Sequence, residues 1–328
     1  SVELGEKKVD YSEYGTLHNL YDSNFQKFIE YNIHDCVLVD RLDDKLKLID
    51  QVMALAYDAK VNFSDTMTTV RSWDTIIHNY LIKDKIVVPP IKDNKGFSSL
   101  VGGYVKDPQV GMHKWVVSYD LNSLYPHLIM QYNISPETFV KRFDMPSIDS
   151  LLDGEWQYQD ERVAYAANGC TYRKDQQGFL AALMEKMYDD RSKYKKMSIE
   201  AKKKYEETKD PEDQKLIARY HNLQLAKKIQ LNSAYGALAN EYFRWFNFNH
   251  AEAITTSGQL SIRWIERKMN SFMNNMLKTE GEDYVIASDT DSIYINMGPV
   301  IEKLGVSDKT DHEICRIIDK FSSSKITP

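Results

Sequence analysis

The chain has 328 residues, 42% of them hydrophobic and 27% charged, an ordinary globular balance with room for two or three domains. Its net charge of −6 argues mildly against nucleic-acid binding, and three scattered cysteines (Cys36, Cys170, Cys315) exclude a disulfide framework and a zinc site. No apolar run approaches the roughly 18–20 residues of a membrane span and no signal-peptide pattern opens the chain, so no membrane partner and an intracellular location are expected. Ser1 rather than Met stands first, and the closing SSSKITP shows no evident terminal element, which suggests a piece of a longer polypeptide.

From about Asn24 onward the pattern predicts a helix, with Phe28, Ile29, Ile33, Cys36, Val37 and Val39 tracing a stripe. Tyr31 and Asp35 stand at i and i+4 on it and share a face; a Tyr–Asp contact on a surface helix explains them simply. Residues 51–91 continue helix-compatible (Trp73, Ile76, Ile77, Tyr80, Leu81) and end at Pro89-Pro90. Residues 92–114, with Gly96, Gly102, Gly103, Pro108 and Gly111, read as a hinge-like linker. Its Gly102-Gly103-Tyr104 is able to bring backbone close to a ligand, though composition favours a plain connector.

Trp115, Val116, Val117 and Tyr119 then predict a buried strand that delivers Asp120 at its end. A turn follows over residues 121–124, and Tyr125-Pro126 open a helix, proline being tolerated in a first helical turn. An acid at such a strand end suits a phosphate or metal site, and equally suits a helix cap. Residues 139–178, punctuated by Gly154, Gly169 and Gly178, predict a meander of short strands. Residues 181–208 and 211–239 predict two long helices, with Asp210 as N-cap and Pro211 first in the second, forming an antiparallel hairpin. Between residues 185 and 228 this projection carries 13 Lys and Arg against 9 Asp and Glu, reversing the sign of the whole chain. Solvated helix faces look the same. Arg191 and Lys195 lie one turn apart on the first helix, and Lys228, Asn232 and Tyr235 make a single stripe on the second, ahead of Gly236. Residues 250–277 predict an amphipathic helix (Ile254, Ile262, Ile265, Met269, Met273, Met276) and 299–322 one more.

Between those two helices lies YVIASDTDSIYI, residues 284–295, which reads as strand, tight turn, strand. Its Asp289 and Asp291, one residue apart, repel each other unless a cation sits between them, and a hard divalent ion is the natural occupant. A solvated hairpin tip has the same composition. No repeat, GxGxxG or Walker-type loop is present, which sets aside dinucleotide and P-loop sites. Three acids (Asp120, Asp289, Asp291) from two strand ends and three cations (Arg191, Lys195, Lys228) on a helical arm match what two-metal phosphoryl or nucleotidyl transfer demands.

The segments DLNSLYP (120–126), KIQLNSAYG (228–236) and DTDS (289–292) resemble, in order and in local structure, the three polymerase motifs of family B DNA polymerases. YNISPETF, LANEYFRWF and QLSIRWIERK look closest to replicative polymerases of T-even-like tailed phages, and the resemblance covers essentially the whole chain. It implies an α+β (mixed) fold with a palm built on an antiparallel sheet and a helical-hairpin fingers region. By analogy, 1–48 would be the C-terminal remnant of a 3′–5′ exonuclease domain, 49–91 an N-terminal-domain segment or linker, 92–177 and 241–328 the palm, and 178–240 the fingers, with the thumb absent.

The resemblance implies template-directed DNA synthesis from dNTP onto a primer 3′-hydroxyl, with primer–template DNA as partner and two Mg²⁺ as cofactors, Mn²⁺ able to substitute. Asp120, Asp291 and the Leu121 carbonyl would hold the ions, with Asp289 beside the primer end. Ser123 and Leu124 amides would take triphosphate oxygens, and Tyr125 would exclude a 2′-hydroxyl. Arg191, Lys195 and Lys228 would grip the triphosphate; Asn232 would face the incoming nucleotide, and Tyr235 and Gly236 would line the nascent base pair. Tyr31 and Asp35 resemble the last exonuclease motif, with Asp35 a metal ligand, and Gly102, Gly103 and Tyr104 resemble the linker that touches template. A sliding clamp would bind through a C-terminus beyond this chain, and the parent would act in the cytoplasm of an infected bacterial cell. The pattern departs from the family at Ala287-Ser288, where Tyr-Gly is common. A nucleic-acid-binding fragment without a complete site, and a metal-dependent nuclease, remain alternatives.

Overall fold

A computed structural model describes residues 2–91, 100–156 and 160–326 of the chain. It is of the α+β class, 60% helical and 9% strand, with antiparallel sheets. Helices α1 (Leu17–Ser23), α2 (Phe25–Leu46), α3 (Leu48–Ala59) and α4 (Thr69–Leu81) come first. They are followed by β1 (Val105–Lys106), β2 (Val116–Asp120), α5 (Leu124–Tyr132), β3 (Phe139–Arg142), α6 (Ile148–Leu152), β4 (Val163–Tyr165) and β5 (Cys170–Arg173). The long helices α7 (Phe179–Thr208), α8 (Pro211–Leu238) and α9 (Phe248–Leu277) lead to β6 (Val285–Asp289), β7 (Ser292–Asn296), α10 (Gly298–Lys303) and α11 (Asp311–Lys325). The chain forms two units, one holding the residues up to Thr68 with Asp190–Lys227, the other Thr69–Asp189 with Lys228 onward.

In the first unit α2 starts where the Asn24 side chain accepts from the Lys27 amide. The N-terminal segment runs back along it, held by Glu13–Lys27 at 2.6 Å, Asp35–Lys8 at 2.9 Å and Glu6–Arg41 at 2.5 Å. Exposed pairs of this kind contribute at most about 1 kcal/mol each, so they set register more than stability. At the tip of the α7–α8 hairpin the Asp210 carboxylate accepts from the Glu212 amide at 2.9 Å. Asp213, 2% exposed, accepts from Lys204 and Thr208 at 2.7 and 2.9 Å, and the Lys204 hydrogen bond holds its carboxyl below the usual range. Lys227 near the foot of α8 is 6% exposed and paired with Asp58 at 2.8 Å and Asp190 at 3.6 Å.

The second unit is built on a four-stranded antiparallel sheet of order β1-β6-β7-β2, with the acid-bearing hairpin in its middle. Val285, Ile293 and Ile295 are buried against Ile262 and Met273 of α9, Val300 and Ile301 of α10, and Ile314 and Ile318 of α11. A second sheet of order β3-β5-β4 is tied to α9 by Tyr172–His250 at 2.9 Å and by the Ala167 amide donating to Ser257 Oγ at 3.1 Å.

Four local expectations change. Strand β2 is half-exposed, with Val116, Ser118 and Asp120 facing solvent, because it is an edge strand covered on one face only. The 139–178 segment is not a simple meander, since β3 pairs with β5 and not with β4. Part of the linker is a strand, β1, while Gly96 lies outside the described residues. The single helix expected over 299–322 is two, because a capping box between Thr310 and Glu313 starts α11 afresh, and α11 takes in the serines near the chain end. Among the described residues no helix is long and apolar enough to cross a membrane.

His250 is 2% exposed, and burial pushes its pKa down to about 4. Its unfolded value lies near 6.5, so the unfolded chain binds the extra proton between those two pH values. Stability present above pH 6.5 should therefore be lost as the pH falls towards 4, by on the order of 3 kcal/mol. Denaturant titrations at pH 7 and pH 4.5 measure this, and His250→Gln, which keeps a partner for Tyr172, should shrink the difference. An unchanged pH slope in that variant would remove the buried imidazole as its cause.

Candidate active site

Strand pairing gathers the acids. Asp120 at the end of β2 and Asp289 at the end of β6 are both cross-strand partners of Ser292, the first residue of β7. The three strand ends thus lie side by side on neighbouring strands, whose spacing is roughly 5 Å. Asp291, next to Ser292, accepts at its carbonyl from the Leu121 amide at 2.8 Å, so the backbone after Asp120 is pinned to the turn. Asp120 and Asp289 are exposed and Asp291 is half-buried. Burial first, then the facing charge of Asp120, and less strongly that of Asp289, push the Asp291 carboxyl above the usual range. Among the described residues no three His, Cys, Asp or Glu side chains stand close enough to hold an ion unaided, so this is an open acidic cluster and not a closed cage.

The turn is held from outside. Thr290 adopts φ 51°, an uncommon conformation for a β-branched residue, and its amide donates to the Tyr104 carbonyl at 2.8 Å. A Cβ added to Gly103 would lie 2.7 Å from Thr290 Oγ1, so glycine alone fits beside the turn. The Gly102 carbonyl accepts from Gln259 Nε2 at 2.6 Å. The glycines of the linker therefore bring backbone close to the acidic turn itself. Ser288, in the departing Ala287-Ser288 pair, is 2% exposed and its Oγ has no hydrogen-bond partner among the described residues.

Beyond Leu121, Ser123 turns the chain at φ 55° and α5 begins at Leu124, anchored by buried Leu124, Leu128 and Ile129. The Tyr125 ring lies 4.8 Å from that of Tyr235, and a Cβ on Gly258 of α9 would come within 3.1 Å of it. Burial, then Tyr235 and the charges of Asp291 and Asp289, push the Tyr125 hydroxyl up to about 12. The reading of 250–277 as an amphipathic helix passed over Gly258, although a glycine in mid-helix, which costs about 1 kcal/mol, was the available signal for a close approach. Lys228, Asn232 and Gly236 form an exposed face of α8 with Tyr235 at its edge. The opposite face buries Leu231, Ala234, Ala237 and Leu238, and Ser233 Oγ accepts from Trp73 Nε1 at 3.1 Å. Among the described residues a Cβ on Gly236 would meet open space, so packing among them does not demand that glycine.

The second unit thus brings together Asp120, Leu121, Ser123, Leu124, Tyr125, Asp289 and Asp291 with Gly103 and Tyr104, and places Tyr235 against Tyr125. Arg191 and Lys195 belong to the first unit, one turn apart on α7, the former half-buried and the latter exposed. In the same unit Tyr31 is buried and Asp35 is ion-paired with Lys8, whose hydrogen bond lowers the carboxyl pKa. The other oxygen, Asp35 Oδ1, is buried and has no hydrogen-bond partner among the described residues.

The profile of DNA polymerase family B matches residues 64–321. The chain is 31% identical over 369 aligned positions to a DNA-directed DNA polymerase of Escherichia phage RB69, covering 99% of this chain and 40% of that protein. It is 32% identical over 368 positions to one of Enterobacteria phage T4, covering 99% and 41%. A DNA polymerase 1 of Pyrococcus abyssi is 31% identical over 201 positions, 60% of this chain and 21% of the relative. The chain spans about two fifths of the length of its phage relatives and, by the family match over most of its residues, belongs to DNA polymerase family B.

Proposed function

We propose that this chain carries the nucleotidyl-transfer site of a template-directed DNA polymerase, which joins dNTP to a primer 3′-hydroxyl on a DNA template. The observation that carries the reading is the register that sets Asp120 and Asp289 on either side of Ser292, with Asp291 adjoining. The donors fit Mg²⁺, which takes hard oxygen ligands and is usually held by one or two carboxylates with substrate phosphates and water. Asp120, Asp291 and the Leu121 carbonyl would supply the protein ligands, and Mn²⁺ suits the same oxygens. Two such ions, when bound, activate the attacking hydroxyl and neutralise the leaving phosphate.

The chain's own residues do the positioning. Leu124 opens α5, where backbone N–H groups lack partners within the helix and favour an anion; with Ser123 it would face the triphosphate. Tyr125, braced by Tyr235 and Gly258, has little room to swing aside, so a ribose 2′-hydroxyl would meet the ring. Lys228 and Asn232 on the exposed face of α8 would bind the incoming nucleotide, and Tyr235 and Gly236 would border the new base pair; Arg191 and Lys195 keep the triphosphate role that their place in the sequence implies. Asp289 would lie beside the primer end, and Gly102–Tyr104 beside template. In this reading residues 92–177 and 241–328 are palm, 178–240 fingers, 49–91 a connecting segment, and 1–48 the end of a proofreading exonuclease. The lone buried oxygen of Asp35, with Tyr31 one turn before it, supports that last assignment. A metal-dependent nuclease would need the acids but neither the braced Tyr125 nor the polar stripe on α8.

Two measurements test this on the chain expressed within its complete reading frame. Asp120→Ala or Asp291→Ala should lower primer extension by roughly 10³-fold, about 4 kcal/mol of barrier, and near-normal extension by either would remove the metal assignment. Tyr125→Ala should admit ribonucleotides in single-nucleotide incorporation, and unchanged sugar discrimination would end its role as a gate.

A further inference from the structure

One face of α9 contacts the linker residue by residue. Gln259, Arg263, Glu266 and Asn270 follow each other at helical spacing, and Gly102, Tyr104 and Lys106 follow each other at the two-residue spacing of an extended chain. Gln259 donates to the Gly102 carbonyl at 2.6 Å, the Arg263 guanidinium lies 5.3 Å from the centre of the Tyr104 ring, and Glu266 accepts from Lys106 at 2.6 Å. Lys106 also donates to both oxygens of Asp283 at 2.9 and 2.7 Å. Asn270 donates to Asp283 at 2.7 Å and accepts from the amides of Tyr284 and Val285 at 2.9 and 3.2 Å, where β6 begins. The Lys106 and Glu266 side chains are 14% and 15% exposed, so this ion pair is largely shielded from water.

This cluster matters because β1 has two residues, too few to hold an edge position by ladder hydrogen bonds alone. Yet β1 is what meets the acidic turn. Val105 is the cross-strand partner of Asp289, Lys106 of Ser288, and the Tyr104 carbonyl takes the Thr290 amide. We infer that Lys106 is a positioning residue for the acidic site: by joining β1 to α9 and to the start of β6, it holds the Thr290 turn and so the placement of Asp289 and Asp291 relative to Asp120. The inference rests on the polymerase reading for its catalytic consequence and on the contacts alone for its effect on the turn. Lys106 touches no reacting atom in this scheme. It acts two residues away through the backbone, as outer-shell residues do at metal sites.

The test compares Lys106→Met, Lys106→Arg and a triple variant, Lys106→Met with Glu266→Gln and Asp283→Asn, which leaves no unpaired charge behind. Two readouts are taken: hydrogen exchange at the Thr290 amide, and the Mg²⁺ concentration giving half-maximal primer extension. Lys106→Met and the triple variant should speed exchange at Thr290 while the Val285–Ile295 part of the ladder stays protected. Both should raise the Mg²⁺ requirement about tenfold with the dNTP KM unchanged. Lys106→Arg should restore much of both. If Lys106 serves only general stability, the triple variant with native melting behaviour will show neither effect. Unchanged Thr290 exchange overturns the proposal, as does an unchanged Mg²⁺ requirement beside an Asp291→Ala chain that has lost extension. If Asp291→Ala extends primers normally, the polymerase reading fails instead, and Thr290 exchange alone decides the positioning role.

Discussion

The pairing of β2 with β7 is the constraint on which the rest of the second unit depends. It brings Asp120 from a distant part of the chain to the strand next to the Asp289–Asp291 turn. Packing like charges together is unfavourable, and Asp291 registers it as a carboxyl held above its usual range, by burial as well as by Asp120 and Asp289. The repulsion between partly exposed carboxylates is a few kcal/mol at most. Burying Val285, Ile293, Ile295, Ile314 and Ile318 contributes about 1.5–3 kcal/mol for each side chain, and so exceeds it. The hydrophobic sheet–helix interface therefore keeps acids together that would otherwise separate, and leaves a local negative field suited to a divalent cation.

A similar balance operates in the turn. Thr290 is held in a left-handed conformation that costs roughly 1–3 kcal/mol and persists only where the surroundings over-determine it. Here they do: the Tyr104 carbonyl holds its amide, Gly103 leaves room for its side chain, and the Leu121 amide binds the Asp291 carbonyl from the opposite flank. Both β1 and β2 thus reach the same two-residue turn, one from each side of the central hairpin. Tyr125 is fixed in the same manner, its ring set between Tyr235 and the close approach permitted at Gly258. A ring held this way has no cheap way to yield, which is the property that the proposed exclusion of a 2′-hydroxyl requires.

Much was legible in the sequence because the relevant rules are local. Period-two and period-3.6 patterns placed the acidic hairpin, the strand ending at Asp120, the start of α5 and the paired helices α7 and α8. Asp210 and Pro211 marked the start of α8 through capping chemistry, which involves only neighbours in the chain. The three motifs that resemble family B polymerases sit within single elements or at their ends, so no long-range contact was needed to notice them.

What the sequence could not decide was which elements lie side by side. The two helices at 298–325, the β3-β5-β4 order and the half-exposed face of β2 follow from capping and from neighbours chosen in three dimensions. The linker was a connector by composition, yet two of its residues form a strand, where Lys106 meets Glu266 and Asp283 some 160 and 177 positions away. Gly103 and Gly258 carry no chemistry of their own, and their meaning appears only when Thr290 and Tyr125 come to rest against them. Local propensity therefore determined the pieces and the residues able to do chemistry, whereas strand register, a property of pairs of distant segments, decided that three acids share one site.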